Sequence, residues 1–295
     1  MIYLVDASVY VFRAWYSLAP DLHDAEGNPT HALFGFARFI GDLVEQRRPQ
    51  SIAVCFDESL RGGFRQQLFP AYKANREPAP PQLKRQFALC REFCRHLGVP
   101  EFASAEFEAD DLIGTLAARA RAAGLRFTLV SRDKDLAQLI GPGDVYWDYS
   151  DNVEYCYGQI AARFGVAPER MADYLALMGD AVDNIPGVPG IGAKTAAALM
   201  NAFESLEALY ADLGRTAALE VRGAAGLAAR LSLHREAAFL AQALTRIHCA
   251  APLPEERAAL LRRSPDLAAL ERFCQQQGFG LMLPRQAARI AALAA

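Results

Sequence analysis

Several absences narrow the possibilities before any motif is considered. No run of uncharged apolar residues approaches the 18 or so that a membrane helix needs, so no contact with a membrane is expected. The opening apolar run "MIYLV" is stopped at Asp6. It therefore lacks the basic flank and the roughly 7 to 15 apolar residues of a secretory leader, and a cytoplasmic setting is expected. Six cysteines (Cys55, Cys90, Cys94, Cys156, Cys249, Cys274) include no CxxC pair. The Cys90/Cys94 spacing suits one face of a helix better than a disulfide or metal framework, so the thiols are expected to be reduced. Five histidines (His23, His31, His96, His234, His248) show no HxxxH spacing, which argues against a zinc hydrolase. No GxSxG elbow offers a serine nucleophile, and there is no internal repeat.

What is present points to a globular α/β chain. With 295 residues and 52% hydrophobic content, it can bury about three-quarters of its unfolded surface in one or two domains. Three short apolar runs read as buried parallel strands: "IYLV" before Asp6, "SIAVCF" before Asp57 and "RFTLVS" before Arg132. Helical patterns begin at Thr30, Gln82 and Ala109, the last two ending at glycine. The alternation predicts a mainly parallel central sheet flanked by helices. Ligands of such sheets sit beyond the carboxyl ends of the strands, where Asp6, Asp57, Asp133 and Asp135 fall. After about residue 167 the chain turns to alanine- and leucine-rich helix. A nuclease-like core over 1–170 and a helical region over 171–295 are therefore expected.

The acids carry the chemistry. "EADD" puts Glu108, Asp110 and Asp111 in the first turn of a helix, where the dipole tolerates negative charge. "SRDKD" sets Asp133 and Asp135 two apart, facing alike if strand geometry persists, and "GDAVDN" sets Asp180 and Asp183 three apart, able to share a helical face. Two carboxylates 4 Å apart repel by about 4 kcal/mol at an effective dielectric of 20. A cluster of nine implies bound cations, and hard oxygen ligands of this kind suit magnesium or manganese. Two such ions about 4 Å apart supply a hydroxide nucleophile, neutralise a phosphate and assist the leaving oxygen.

The net charge of −3 hides an opposite balance elsewhere, since setting the nine acids aside leaves +6. Residues 61–85 hold six bases (Arg61, Arg65, Lys73, Arg76, Lys84, Arg85) against Glu77 alone, a patch suited to a phosphate backbone. The stretch around 58–84 also carries Phe64, Phe69, Tyr72 and the proline-rich "EPAPP", and reads as a mobile insertion over the site. Beyond the last acids, "NIPGVPGIGAKTAAALM" misses the P-loop spacing and fits a helix-hairpin-helix over about 184–200. Gly190 and Gly192 flank the turn, and backbone N–H groups with Lys194 can meet a phosphate at a helix N-terminus.

On these motifs, with "YLVDASVYVFRAW", "FRQQLFPAYKANR" and "EADDLIGTLA", the chain resembles the 5′ nuclease family. That family includes the amino-terminal domain of bacterial DNA polymerase I, phage 5′ exonucleases and flap endonucleases. The resemblance covers about residues 2–248. It implies a PIN-like core and a structure-specific 5′-3′ exonuclease or 5′-flap endonuclease using two metal ions. One ion is expected at Asp6, Asp57, Glu108 and Asp110, the other at Asp133, Asp135, Asp180 and Asp183, with Asp111 close by. It also implies an arch that clamps the 5′ single strand of branched or flapped DNA, independently of sequence. Arg65, Lys73 and Arg76 match its basic residues, Tyr72 would stack on a base, and Arg13 would lie near the scissile phosphate. Lys73 would further stabilise the transition-state phosphate. Gly190, Gly192, Lys194 and Thr195 would hold the DNA backbone, and a potassium ion is expected beside Gly190 and Ile191. Two departures stand out: Ala7 and Arg132 occupy positions where the family usually has glycine. Ending at Ala295, the chain resembles the free-standing members, and a monomer is expected. Two alternatives remain open on the residues, a module that only binds flapped DNA and a small-molecule phosphatase using Asp6 as nucleophile.

Overall fold

A computed structural model describes residues 1–58 and 62–293, so Arg61 of the basic segment lies outside the described residues. The chain opens with β1 (Ile2–Asp6), α1 (Ala7–Ser17), α2 (His31–Arg47), β2 (Ser51–Asp57), α3 (Phe64–Leu68), α4 (Pro81–His96), β3 (Glu101–Ser104), α5 (Ala109–Ala122) and β4 (Phe127–Val130). A hairpin of β5 (Val145–Asp148) and β6 (Val153–Cys156) follows, then α6 (Tyr157–Phe164), α7 (Met171–Met178) and α8 (Ala193–Ala202). Five more helices complete it: α9 (Leu206–Ala211), α10 (Leu227–Leu233), α11 (Arg235–Thr245), α12 (Leu267–Gln276) and α13 (Met282–Ala292). Two compact units share these elements, the first made of Met1–Ser59, Pro78–Arg132 and Cys249–Ala295, the second of Leu60–Glu77 and Asp133–His248. The division expected near residue 170 falls inside the second.

In the first unit the strands lie parallel in the order β3-β2-β1-β4. The three apolar runs form β1, β2 and β4, and their central residues, from Leu4 and Val5 to Ile52–Phe56 and Leu129–Val130, are fully buried, as strands covered on both faces must be. The sequence reading passed over β3, whose four residues "EFAS" are all only half-buried. Helix α2 buries Ala32, Leu33, Phe36, Ala37, Ile40, Leu43 and Val44, a stripe at helical spacing that meets α1, α4 and α13.

The second unit holds the antiparallel β5–β6 pair, in register from Val145↔Cys156 to Asp148↔Val153, and the helices α3 and α6–α11. Tyr72, Ala176, Ile185, Ala241 and Leu244 form a core there, with Phe69 and Leu240 against it. A buried side chain of this size contributes about 1.5–3 kcal/mol, so segment 69–72 is bound down onto α7 and α11. Arg65 completes the attachment: it is buried, and its guanidinium donates to the carbonyls of Leu244 at 2.9 Å and Arg246 at 3.3 Å. Those are carbonyls at the end of α11, which a cation suits.

Two glycines shape the turn after α7. Gly179 has φ +77, and a Cβ on Gly187 would lie 2.4 Å from the carbonyl carbon and oxygen of Met178. The chain thus doubles back with backbone against backbone, and Asp180 and Ile185 exchange hydrogen bonds of 3.0 and 2.8 Å across the turn. Gly187→Ala is expected to cost about 1–3 kcal/mol of stability in urea unfolding. Gly192→Ala meets nothing within 4 Å of the added Cβ and loses only the N-cap preference of glycine over alanine at the start of α8, about 0.5–1 kcal/mol.

Asp24 organises the loop before α2. Its carboxylate accepts the N–H groups of Glu26 at 2.9 Å and Asn28 at 2.8 Å, the Asn28 amide at 3.0 Å and Arg85 at 2.5 Å. Burial alone would raise its pKa, but Asn28, Glu26 and Arg85 outweigh it and hold the carboxyl at about 2. A carboxyl depressed on folding stabilises above its unfolded value, near 3.9, and loses that contribution as pH falls through its folded value. Asp24→Asn should therefore lower the melting temperature at pH 7 and flatten the decline between about pH 4 and pH 2, as followed by circular dichroism.

Candidate active site

Strand register assembles the first acid group. Asp6 pairs with Cys55 across β1 and β2, and Asp57 with Ser104 across β2 and β3, so β2 and β3 end together, two residues beyond the end of β1, and both aspartates lie at the carboxyl edge of the sheet. Asp6 is 3% exposed, and its carboxylate accepts the Ser131 hydroxyl at 2.8 Å. Ser131 directly follows β4, whose Val130 lies opposite Val5. Asp57 accepts the N–H of Ala109 at 2.8 Å, while its own N–H donates to the Ser8 hydroxyl at 3.2 Å. That places Asp57 at the start of α5. The Ser104 hydroxyl accepts two N–H groups of the preceding turn, those of Glu106 and Phe107, both at 3.2 Å. Glu108 then stands at the N-cap, with Asp110 and Asp111 in the first helical turn. Asp111 is fully buried and accepts the N–H of Glu108 at 3.1 Å, so its carboxylate closes the helix end. Burial, then the charges of Asp6, Asp57 and Asp110, push the Cys55 thiol well above its usual pKa, a sign that the three carboxylates converge on one strand end.

The second acid group lies in the second unit and departs from the expected local geometry. Strand conformation does not persist through Asp133 and Asp135: Asp133 caps a 3-10 turn over Lys134–Leu139, accepting the N–H of Asp135 at 2.9 Å. Nor do Asp180 and Asp183 share a helix. Residues 181–184 form a turn, in which Asp180 accepts the N–H of Val182 at 2.8 Å. The Lys134 ammonium donates to Asp180 at 2.5 Å and stands 3.4 Å from Asp135. Burial opposes the ionisation of Asp180, but the Lys134 hydrogen bond and charge overcome it and lower its pKa. Asp135 is pushed up to about 7 by burial and by Asp133, against the pull of Lys134. One of its oxygens is buried with no hydrogen-bond partner. Lys134 was not singled out in the sequence because a lysine between two aspartates gives no hint of which acid it meets.

The arch residues are engaged with this turn. Tyr72, expected to stack on a base, is 4% exposed in the core, and its hydroxyl donates to Asp183 at 3.4 Å. Arg65, expected on a phosphate, is buried against α11. Lys73 lies 3.7 Å from Asp183, and the Arg76 guanidinium contacts the other oxygen of that carboxylate. The backbones join as well: the Lys73 N–H donates to the Asp183 carbonyl at 2.9 Å, the Asn75 amide to Ala181 at 3.0 Å, and the Asn184 amide to Ala71 at 2.7 Å. Lys73 and Asn184 both adopt positive φ, 54° and 55°, which costs a non-glycine residue about 1–3 kcal/mol unless the surroundings enforce it.

Arg13 is exposed on α1. In the hairpin region, α8 starts at Ala193 with Gly192 as N-cap, so Lys194 and Thr195 fall in its first turn, exposed and half-exposed. The first helix is α7, ending at Met178, and residues 186–192 are irregular. An initial helix within 184–200 is thus replaced by an extended connection, because Pro186 and Pro189 cannot sustain helical hydrogen bonds. Gly190 has φ +76, and its carbonyl, expected beside a potassium ion, accepts the Arg230 guanidinium at 3.2 Å.

Among the described residues no three acidic, histidine or cysteine side chains stand close enough to enclose a metal ion as placed. Serine hydroxyls, backbone N–H groups, lysines and an arginine hold the carboxylates instead. The donor chemistry still suits hard divalent cations, being carboxylate throughout. Asp135 Oδ1, buried with no hydrogen-bond partner, faces the Lys134 ammonium at 3.4 Å, so this oxygen already draws a cation.

The 5′-3′ exonuclease N-terminal resolvase-like domain family matches residues 1–165, and the 5′-3′ exonuclease C-terminal SAM fold family matches residues 166–268. The chain is 33% identical over 251 residues to a 5′-3′ exonuclease of Buchnera aphidicola, covering 85% of this chain and 87% of that one. It is 40% identical over 268 residues to DNA polymerase I of Pseudomonas aeruginosa, covering 90% of this chain. It spans 21% to 32% of the length of the first DNA polymerase I relatives it matches. Its fold is shared with the bacteriophage T5 D15 flap endonuclease, solved with DNA and metal ions, at a TM-score of 0.65 and 19% identity over 99% of both chains. No described helix is long and apolar enough to cross a membrane. Family matches that run almost the length of the chain, over a parallel sheet with aspartates at its strand ends, make this protein a member of the 5′-3′ exonuclease family.

Proposed function

We propose that the chain is a structure-specific 5′ nuclease that hydrolyses phosphodiesters in branched or 5′-flapped DNA with two divalent ions, magnesium or manganese, acting as a cytoplasmic monomer. The observation that carries this reading is the shared carboxyl edge of β1 and β2, where Asp6 ends β1 opposite Cys55 and Asp57, two residues on, accepts the N–H of Ala109 at the start of α5, whose N-cap and first turn carry Glu108 and Asp110. Asp6, Asp57, Glu108 and Asp110 would hold the catalytic ion, and Asp133, Asp135, Asp180 and Asp183 the second. Bound there, divalent ions supply a hydroxide nucleophile and neutralise charge on the phosphate.

The residues' own tasks follow from their contacts. Ser131 and the Ala109 N–H each take one carboxylate oxygen of Asp6 and Asp57, which orients the remaining lone pairs. Lys73 and Arg76 bear the charge that a 5′ phosphate backbone requires, and they reach DNA by leaving Asp183. Arg13, Lys194, Thr195 and the N-terminus of α8 give contacts that read no sequence. A potassium ion at the hairpin would share the Gly190 carbonyl with Arg230. The chain is read as a nuclease core over 1–170 and a helical region over 171–295 that carries the hairpin and adds Asp180 and Asp183 to the second acid group.

A labelled 5′-flap duplex with magnesium tests the proposal, with short 5′ products expected. Intact substrate despite normal binding would leave only a DNA-binding module. Asp57→Asn and Asp110→Asn should lower turnover at least about a hundredfold while leaving the affinity for DNA measured without divalent ions unchanged. Ser131→Ala should cost about 10- to 100-fold through the poorer placement of Asp6, with a raised magnesium requirement in titrations of rate against metal.

A further inference from the structure

The second acid group carries three cations of its own. Lys134 bridges Asp180 and Asp135, at 2.5 and 3.4 Å, and Lys73 and Arg76 both address Asp183. Four clustered carboxylates repel strongly, and these side chains relieve that repulsion from inside the chain. The Lys134 ammonium lies between two carboxylates from separate stretches of sequence, where a divalent ion would also have to lie to use both. Its side chain is 41% exposed, and its four-carbon stem is flexible. It can turn to solvent without stranding a buried charge, whereas Asp180, with its side chain 8% exposed, cannot move away.

We propose that Lys134 is a built-in counter-cation of the second acid group, which a divalent ion must displace to bind Asp135 and Asp180. This rests on the assignment of those acids to a metal. Lys134 then sets the affinity of the second site: it lowers it, and it keeps the turn folded when divalent ions are scarce. Lys73 and Arg76 stand in the same relation to Asp183, so metal binding to this group frees basic side chains of the arch for phosphate. The exchange is a competition between cations for the same oxygens and involves no covalent step.

Manganese binding to the full chain, followed by calorimetry and by electron paramagnetic resonance of the free ion, tests it without any reaction. Two classes of site are expected. Lys134→Met and Lys134→Gln should tighten the weaker class about tenfold, as removal of one charged hydrogen bond would, while Lys134→Arg keeps wild-type affinity. Circular dichroism melts identify any variant that fails to fold, and the Met and Gln substitutions stand in for each other. An unchanged weaker class in both overturns the proposal. Asp133→Asn separates that failure from a failure of the metal assignment: it should abolish the weaker class, and if both classes survive it, the acids are no metal site and the proposal falls with them.

Discussion

Concentrated negative charge is the constraint on which the rest of the site depends. Carboxylates 4 Å apart repel by about 4 kcal/mol at an effective dielectric of 20, and the chain meets this by giving its acids fixed partners. Asp6 has the Ser131 hydroxyl, Asp57 the Ala109 N–H, and Asp111 the Glu108 N–H. Asp133 has the Asp135 N–H, Asp180 has the Val182 N–H and Lys134, and Asp183 has Lys73 and Arg76. Each partner removes one direction of approach and leaves the others aimed outward. Acids held this way stay in place, as ligands for hard cations must.

The two groups solve the problem differently. In the first unit the donors named above are neutral and come from strand ends and the N-terminus of α5. In the second unit they are largely cations, so charge is cancelled locally. Gly179 and Gly187 serve the second arrangement, since only backbone pressed on backbone brings Asp180 and Asp183 to Lys134 and the arch segment.

Burial of Tyr72 and Arg65 changes what the basic segment does. The family resemblance implies that Tyr72 stacks on a base, with Arg65, Lys73 and Arg76 on phosphates. Here the ring packs with Ile185, Ala241 and Leu244, and the guanidinium of Arg65 closes the end of α11. These two residues anchor segment 65–72, while Lys73 and Arg76 contact Asp183.

Much was legible in the sequence. Apolar runs stopped by aspartate marked β1, β2 and β4 and their polar rim, because a strand buried on both faces must be apolar to its end. "EADD" marked the start of α5, because acids suit a helix N-terminus. The number and kind of acids sufficed to point to hard cations. The short strand β3 and the β5–β6 pair were not legible, being too brief and too half-exposed to leave a periodic signal. Nor were the bends at Asp133 and Asp180, where local hydrogen bonds override the strand and helix that spacing suggested. The partner of each acid was hidden for a plainer reason: Ser131 meets Asp6, and Lys134 meets Asp180, across gaps in sequence that only strand register and a glycine-tight turn can close. Residue type by itself determined that this protein gathers carboxylates for cations. Which donor holds which carboxylate was decided only by the tertiary structure, because hydrogen bonds act over about 3 Å of space, whatever the separation along the chain.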